Sequence, residues 1–70
     1  MFKIYLRCRI NEIRKEIGIS QAELSNRTNL TVGQISRIEN NKTLPGLYTL
    51  FTLAEGLNCK IEDMYYKYNN

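Results

Sequence analysis

Ile19-Ser20-Gln21-Ala22-Glu23-Leu24 and Leu30-Thr31-Val32-Gly33-Gln34-Ile35 stand eleven residues apart and read as two helix starts built to one plan. In each, a hydroxyl residue precedes the helix, Glu23 or Gln34 follows it three places on, and apolar residues flank the box. The hydroxyl accepts a first-turn backbone N–H, the long polar side chain returns to the cap's own N–H, and the flanking apolar pair closes as a staple. One such box is common; two at this spacing predict a pair of short helices meeting at a tight corner. Asn29 falls at the corner, where the chain must reverse and where Asn tolerates the left-handed backbone better than most side chains do.

Outward from this pair the chain reads as further helices. Leu6, Ile10, Ile13 and Ile17 recur at helical spacing and predict one face of a first helix that stops at Gly18. Leu24 anchors the second helix, and Ile35 and Ile38 the third, which Asn40-Asn41 ends. Leu44-Pro45-Gly46 breaks the pattern; Leu47, Leu50, Phe51, Ala54 and Leu57 then mark a fourth helix with Gly46 as its cap. A short fifth helix is expected from about Ile61 to Tyr65. The ends admit two readings. Phe2-Lys3-Ile4-Tyr5-Leu6-Arg7 alternates apolar with basic and Tyr65-Tyr66-Lys67-Tyr68 favours strand, so the two can pair; alternatively residues 1–5 extend the first helix and the tail frays.

Composition narrows the function. The 70 residues form one expected domain, 1–70, and so small a chain buries only about 60% of its unfolded surface, leaving little room for a catalytic cleft. There is no His, the commonest general base and metal ligand, and no P-loop, dinucleotide fingerprint or HExxH motif. A binding module is expected, with no enzyme activity, no cofactor and no metal. Cys8 and Cys59 are far apart and outside any CxxC, which fits two small hydrophobes in the reducing cytoplasm better than a disulfide. No apolar run is long enough to span a membrane. Net charge is +3, unevenly spread: Met1 to Lys42 holds eight Lys/Arg against four acids, and Thr43 to Asn70 two against three. The basic part contains the helix pair, as a polyanion-binding surface would.

From Ile10 to Tyr65 the chain resembles the Cro/CI-type (XRE-like) helix-turn-helix domain of phage repressors and small bacterial regulators. The likeness rests on Ile13-Arg14-Lys15-Glu16-Ile17-Gly18-Ile19-Ser20-Gln21, on Leu24, on Ile35-Ser36-Arg37-Ile38-Glu39-Asn40, on Lys42 and Pro45, and on the Leu50 to Leu57 stretch. It implies an all-α, five-helix, lambda-repressor-like fold, with short terminal strands in a subset of the family. It also implies that Arg14 and Glu39 pair across the first and third helices as a structural salt bridge and leave DNA untouched. Ser25 replaces the usual Ala where the motif helices cross, and Asn29 and Asn41 replace glycines; Gly33 stands where relatives often carry a base-reading side chain.

In such a motif the second helix, here from about Val32 to Asn40, enters the major groove N-terminus first. Ile35 and Ile38 face inward, leaving Thr31, Val32, Gly33, Gln34, Ser36 and Arg37 toward DNA. Arg37 suits a bidentate contact to guanine, and Val32 suits a thymine methyl. Gln34 has two competing tasks, closing its capping box or extending to adenine. Gln21 resembles the family's phosphate-clamping Gln, while Asn40, Lys42 and Thr43 follow the helix and suit phosphates. The expected partner is double-stranded DNA, bound by a homodimer through the aromatic ends Tyr65, Tyr66 and Tyr68 with Phe2, Ile4 and Tyr5, unless those ends pair within one chain. The function expected is a transcriptional repressor. Alternatives are an antitoxin, a restriction–modification controller, or an interaction module, with an unidentified protein partner, that keeps the fold without DNA.

Overall fold

The structure, a computed structural model, describes residues 4–68. Along the chain run β1 (Tyr5–Cys8), α1 (Ile10–Ile17), α2 (Gln21–Thr28), α3 (Val32–Glu39), α4 (Leu47–Leu57), α5 (Ile61–Met64) and β2 (Tyr65–Tyr68). Both predicted helix starts form, though unequally. Thr31 and Gln34 complete a reciprocal capping box: Thr31 N–H donates to Gln34 Oε1 at 2.8 Å and Gln34 N–H to Thr31 Oγ1 at 3.0 Å. At α2 only half the box exists. Ser20 Oγ accepts the Glu23 N–H at 3.0 Å, but the Glu23 carboxylate turns to Arg27 at 3.2 Å, a contact one helical turn on.

Four helix ends are closed by a residue in the left-handed region: Gly18 (φ 79°), Asn29 (φ 61°), Asn41 (φ 59°) and Asn58 (φ 54°). At the end of α3, Asn41 N–H returns to Ile38 O at 3.1 Å and Lys42 N–H to Arg37 O at 2.8 Å, satisfying carbonyls that would otherwise be orphaned. The α2–α3 corner is tied further by the Ser25 hydroxyl, which donates to Leu30 O.

The core comprises Ile10, Ile13, Leu24, Ile35, Ile38, Leu53, Ala54, Leu57 and Met64. Two expected faces need correction. Leu6 belongs to β1, since α1 begins only at Ile10, and Leu6 and Ile17 are 45% and 46% exposed. On α4, Leu47 and Phe51 point outward and Leu53 is fully buried instead, because this helix is apolar on nearly every side and its periodicity does not select a face. The fifth helix stops at Met64, one residue short of the expectation, and Tyr65 opens β2.

The two ends pair as strands. β1 runs antiparallel to β2, from Tyr5 opposite Tyr68 to Cys8 opposite Tyr65, so Tyr5 does not extend α1; Phe2 lies outside the described residues. Arg9 N–H donates to Met64 O at 2.7 Å where the sheet meets the helices. Cys8 and Cys59 are free, half-buried thiols packed against the core, and burial pushes both up in pKa.

α2 packs on α4 at Gly56, whose carbonyl accepts from Arg27 Nη1 at 3.0 Å. A Cβ there would sit 2.7 Å from Thr28 Cγ2 and 3.2 Å from Leu24 Cδ1. Overpacking costs about 1–3 kcal/mol, against about 1 kcal/mol of helix propensity gained over glycine. Gly56→Ala is expected to lower stability by about 1 kcal/mol, a fall of about 4–8 °C in melting temperature for a domain of this size. A melting temperature that stays level or rises would show that the two helices stand further apart.

Candidate DNA interface

Glu39, the last residue of α3, lies beneath the candidate surface with its side chain only 2% exposed. Arg14 donates to both of its oxygens, Nε to Oε2 at 2.8 Å and Nη2 to Oε1 at 3.3 Å. Asn11 Nδ2 (3.2 Å) and Gln21 Nε2 (2.9 Å) donate to the same Oε1. Arg14 Nη1 reaches on to Ile19 O at 3.0 Å, in the turn before α2. One carboxylate thus joins α1, the start of α2 and the end of α3. The pairing expected for Arg14 and Glu39 is present, and the two amide donors are partners that the sequence did not signal.

The outward side of α3 presents the residues that the sequence placed there. Val32, Gly33, Gln34 and Arg37 are exposed and Ser36 is half-buried, opposite the buried Ile35 and Ile38. Gln34 is engaged in its capping box, so of its two candidate tasks this structure shows the cap. A Cβ on Gly33 would meet only Thr31 Oγ1 at 3.8 Å, so nothing inside the fold demands glycine there. Asn40 folds back on its own helix, Nδ2 donating to Ser36 O at 2.8 Å. Arg37 Nε lies 3.4 Å from Thr43 Oγ1, at the limit of a hydrogen bond, which leaves its fork available to a ligand.

Gln21 heads α2, and Asn40, Lys42 and Thr43, all exposed, follow α3. Every candidate position therefore lies on α3, at its two ends, or at the start of α2. Among the described residues no group of His, Cys, Asp and Glu is arranged to hold a metal, and no helix is long and apolar enough to cross a membrane. Fold and surface together define a DNA-binding regulator of the helix-turn-helix class.

Comparison with known proteins agrees. The Helix-turn-helix family model matches residues 10–64, and the chain belongs to that family. It is similar to two uncharacterized HTH-type transcriptional regulators of Archaeoglobus fulgidus, 32% and 33% identical over 60 residues; the match spans 86% of this chain and 86% and 84% of theirs. Among solved structures it resembles the restriction-modification controller protein C.Esp1396I. The wild type superposes with TM-score 0.68 at 33% identity, over 73% of this chain and 66% of the controller, and a point mutant gives TM-score 0.69.

The Glu39 network also fixes a pH dependence. Burial works to raise the Glu39 pKa, but the hydrogen bonds from Arg14, Gln21 and Asn11 and the Arg14 charge outweigh it and hold the carboxyl below its ordinary range. A carboxylate whose pKa is depressed by folding stabilises fully above its unfolded value, about 4.3, and loses that contribution as pH falls through the folded value. The chain has no His to titrate between pH 5 and 8. Urea-unfolding free energies are expected to stay nearly level from pH 7 to about 5 and to drop below about pH 4.3, with a shallower drop in Glu39→Gln. An equally steep acid limb in that variant would assign it to other carboxylates.

Proposed function

We propose that this protein is a sequence-specific transcriptional repressor that reads the major groove of double-stranded DNA with α3, as a homodimer on a two-fold operator in the cytoplasm. The observation that carries the reading is the anchoring of α3. Its inner end is locked by a buried ion pair while Val32, Gly33 and Arg37 face outward, so the helix is a rigid probe with a free reading surface. Arg37 takes a guanine, Val32 a thymine methyl, and Gly33 lets the backbone approach the base edges. Gln34 holds the cap and can reach a base only by releasing it. Thr31, Ser36, Gln21, Asn40, Lys42 and Thr43 set register through phosphates. The protein performs no catalysis.

A second copy suits the outer face of α4. Leu47, Tyr48 and Phe51 are 69%, 86% and 57% exposed. From Thr43 to Cys59 the only charged residue is Glu55, so two basic chains can meet there without opposing like charges. Of the terminal residues expected to hold the dimer, Tyr5 and Tyr68 meet each other within the chain, ring centres 5.6 Å apart, while Ile4 and Tyr66 stay 60% and 42% exposed. The α4 face also borders the loop after α3, which suits the close two-fold spacing of recognition helices one helical turn apart. A second reading, a restriction–modification controller, is favoured by the likeness to C.Esp1396I.

Arg37→Ala is expected to relax preference at one base position at a cost of about 1–3 kcal/mol, whereas Lys42→Ala weakens all duplexes alike and reduces the salt slope by about one unit. Uniformly weaker binding by the Arg37 variant, measured on a set of single-base operator variants, would remove Arg37 from base reading. Phe51→Glu should convert a sedimenting dimer to monomer and abolish cooperative binding to paired half-sites. A variant that stays dimeric would place the two-fold contact elsewhere.

A further inference from the structure

Beside the recognition helix lies an open hollow of about 540 Å³ whose walls come from both the helical motif and the terminal sheet. α1 contributes Asn11, α2 its first residue Gln21, and the end of α3 contributes Asn40 and Asn41; β1 contributes Arg7. Among the described residues Arg7 is the one basic side chain lining it, and it lies outside residues 10–64, the span matched by the family model.

We infer that Arg7 is a DNA-phosphate ligand, and that the terminal sheet thereby forms part of the DNA interface, gripping the backbone beyond the bases that α3 reads. The inference rests on the DNA-binding reading above and adds to it a contact from an element outside the helix-turn-helix.

Three observations support it. First, the charge is unspent. Among the described residues the ion pairs are Arg9–Glu12, Arg14–Glu39 and Arg27–Glu23, and none involves Arg7. The two carboxylates lining the hollow are already engaged, Glu39 by Arg14 at 2.8 Å and Glu12 by Arg9 at 3.3 Å. Second, the guanidinium lies over an aromatic ring with its donors unused. Its carbon sits 5.4 Å from the centre of the Tyr68 ring, within reach of a cation–π contact, and among the described residues none of its N–H groups makes a hydrogen bond. Third, β1 is tied to the recognition helix. Cys8 N–H donates to Asn41 Oδ1 at 3.0 Å, one residue from Arg7 and at the left-handed residue that closes α3.

The chemistry of the hollow suits a phosphodiester. Gln21 uses one amide N–H on Glu39 and keeps a second. Arg7 adds the charge that amides lack, and a guanidinium fork matches two phosphate oxygens. In a helix-turn-helix the first motif helix, here α2, crosses the DNA backbone, so a hollow that includes its first residue opens toward a phosphate strand.

The test measures binding of the intact chain to a duplex recovered by selection from a random library, between 50 and 200 mM salt. Arg7→Gln, which keeps much of the stem over Tyr68, and Arg7→Ala should each reduce the slope of log K against log salt by about 0.9, weaken all duplexes equally and leave base preference unchanged. Arg7→Lys should recover most of the slope. If Arg7 only packs on Tyr68, Arg7→Ala melts earlier and both neutral variants keep the full slope, which overturns the inference while DNA binding stands. If the intact chain binds no duplex, the DNA-binding reading and this contact fall together.

Discussion

The buried Arg14–Glu39 pair is the constraint on which the rest of the structure depends. A carboxylate at 2% exposure is tolerated only with its lone pairs satisfied, and here four hydrogen bonds from three side chains do so. Those donors lie on α1 and at the first residue of α2, so satisfying one charge positions three helices at once. Apolar packing alone would be less selective. Ile35 and Ile38 bury α3 against the core, but greasy contacts are non-directional, whereas a bidentate guanidinium–carboxylate contact fixes an angle. Arg14 also donates to Ile19 O, which carries the constraint into the turn that precedes α2.

Orientation matters because α3 is only eight residues long. Such a helix has few outward positions, and a small rotation would exchange an outward side chain for a buried one. The C-terminal closure at Asn41 serves the same end: its backbone satisfies the last carbonyls of α3 while its side chain accepts from Cys8 in β1. The terminal sheet is thus joined to the end of the recognition helix by a hydrogen bond, and to the end of α5 through Arg9 and Met64.

Much of this was legible in the sequence because it is local. The caps at Ser20 and Thr31 and the reversals at Gly18, Asn29 and Asn41 depend on residues within a few positions of each other, and alternation at the ends pointed to strands. Resemblance to a family supplied the Arg14–Glu39 pair, which no local rule reveals across 25 positions. What was not legible depends on tertiary competition. Glu23 had the right spacing for a capping box but found Arg27; Leu6 had helical spacing but joined a strand; Leu53 displaced Leu47 and Phe51 from the core because α4 offers apolar residues on several faces. The candidate site divides in the same way. The outward positions of α3 follow from the inward ones, while the amide donors around Glu39 and the place of Arg7 needed the folded chain.

The central claim is that one buried ion pair sets the geometry of the recognition helix, and a double-mutant cycle on Arg14 and Glu39 tests it most directly. With Arg14→Met, Glu39→Leu and the double variant measured by urea unfolding, each single change should cost about 3–5 kcal/mol, because it strands a buried charge. The double variant should recover part of that loss, a coupling of 0.5–3 kcal/mol or so in the direction expected for contacting residues. Additive effects below about 1 kcal/mol would contradict the account, since they are the behaviour of exposed, independent charges.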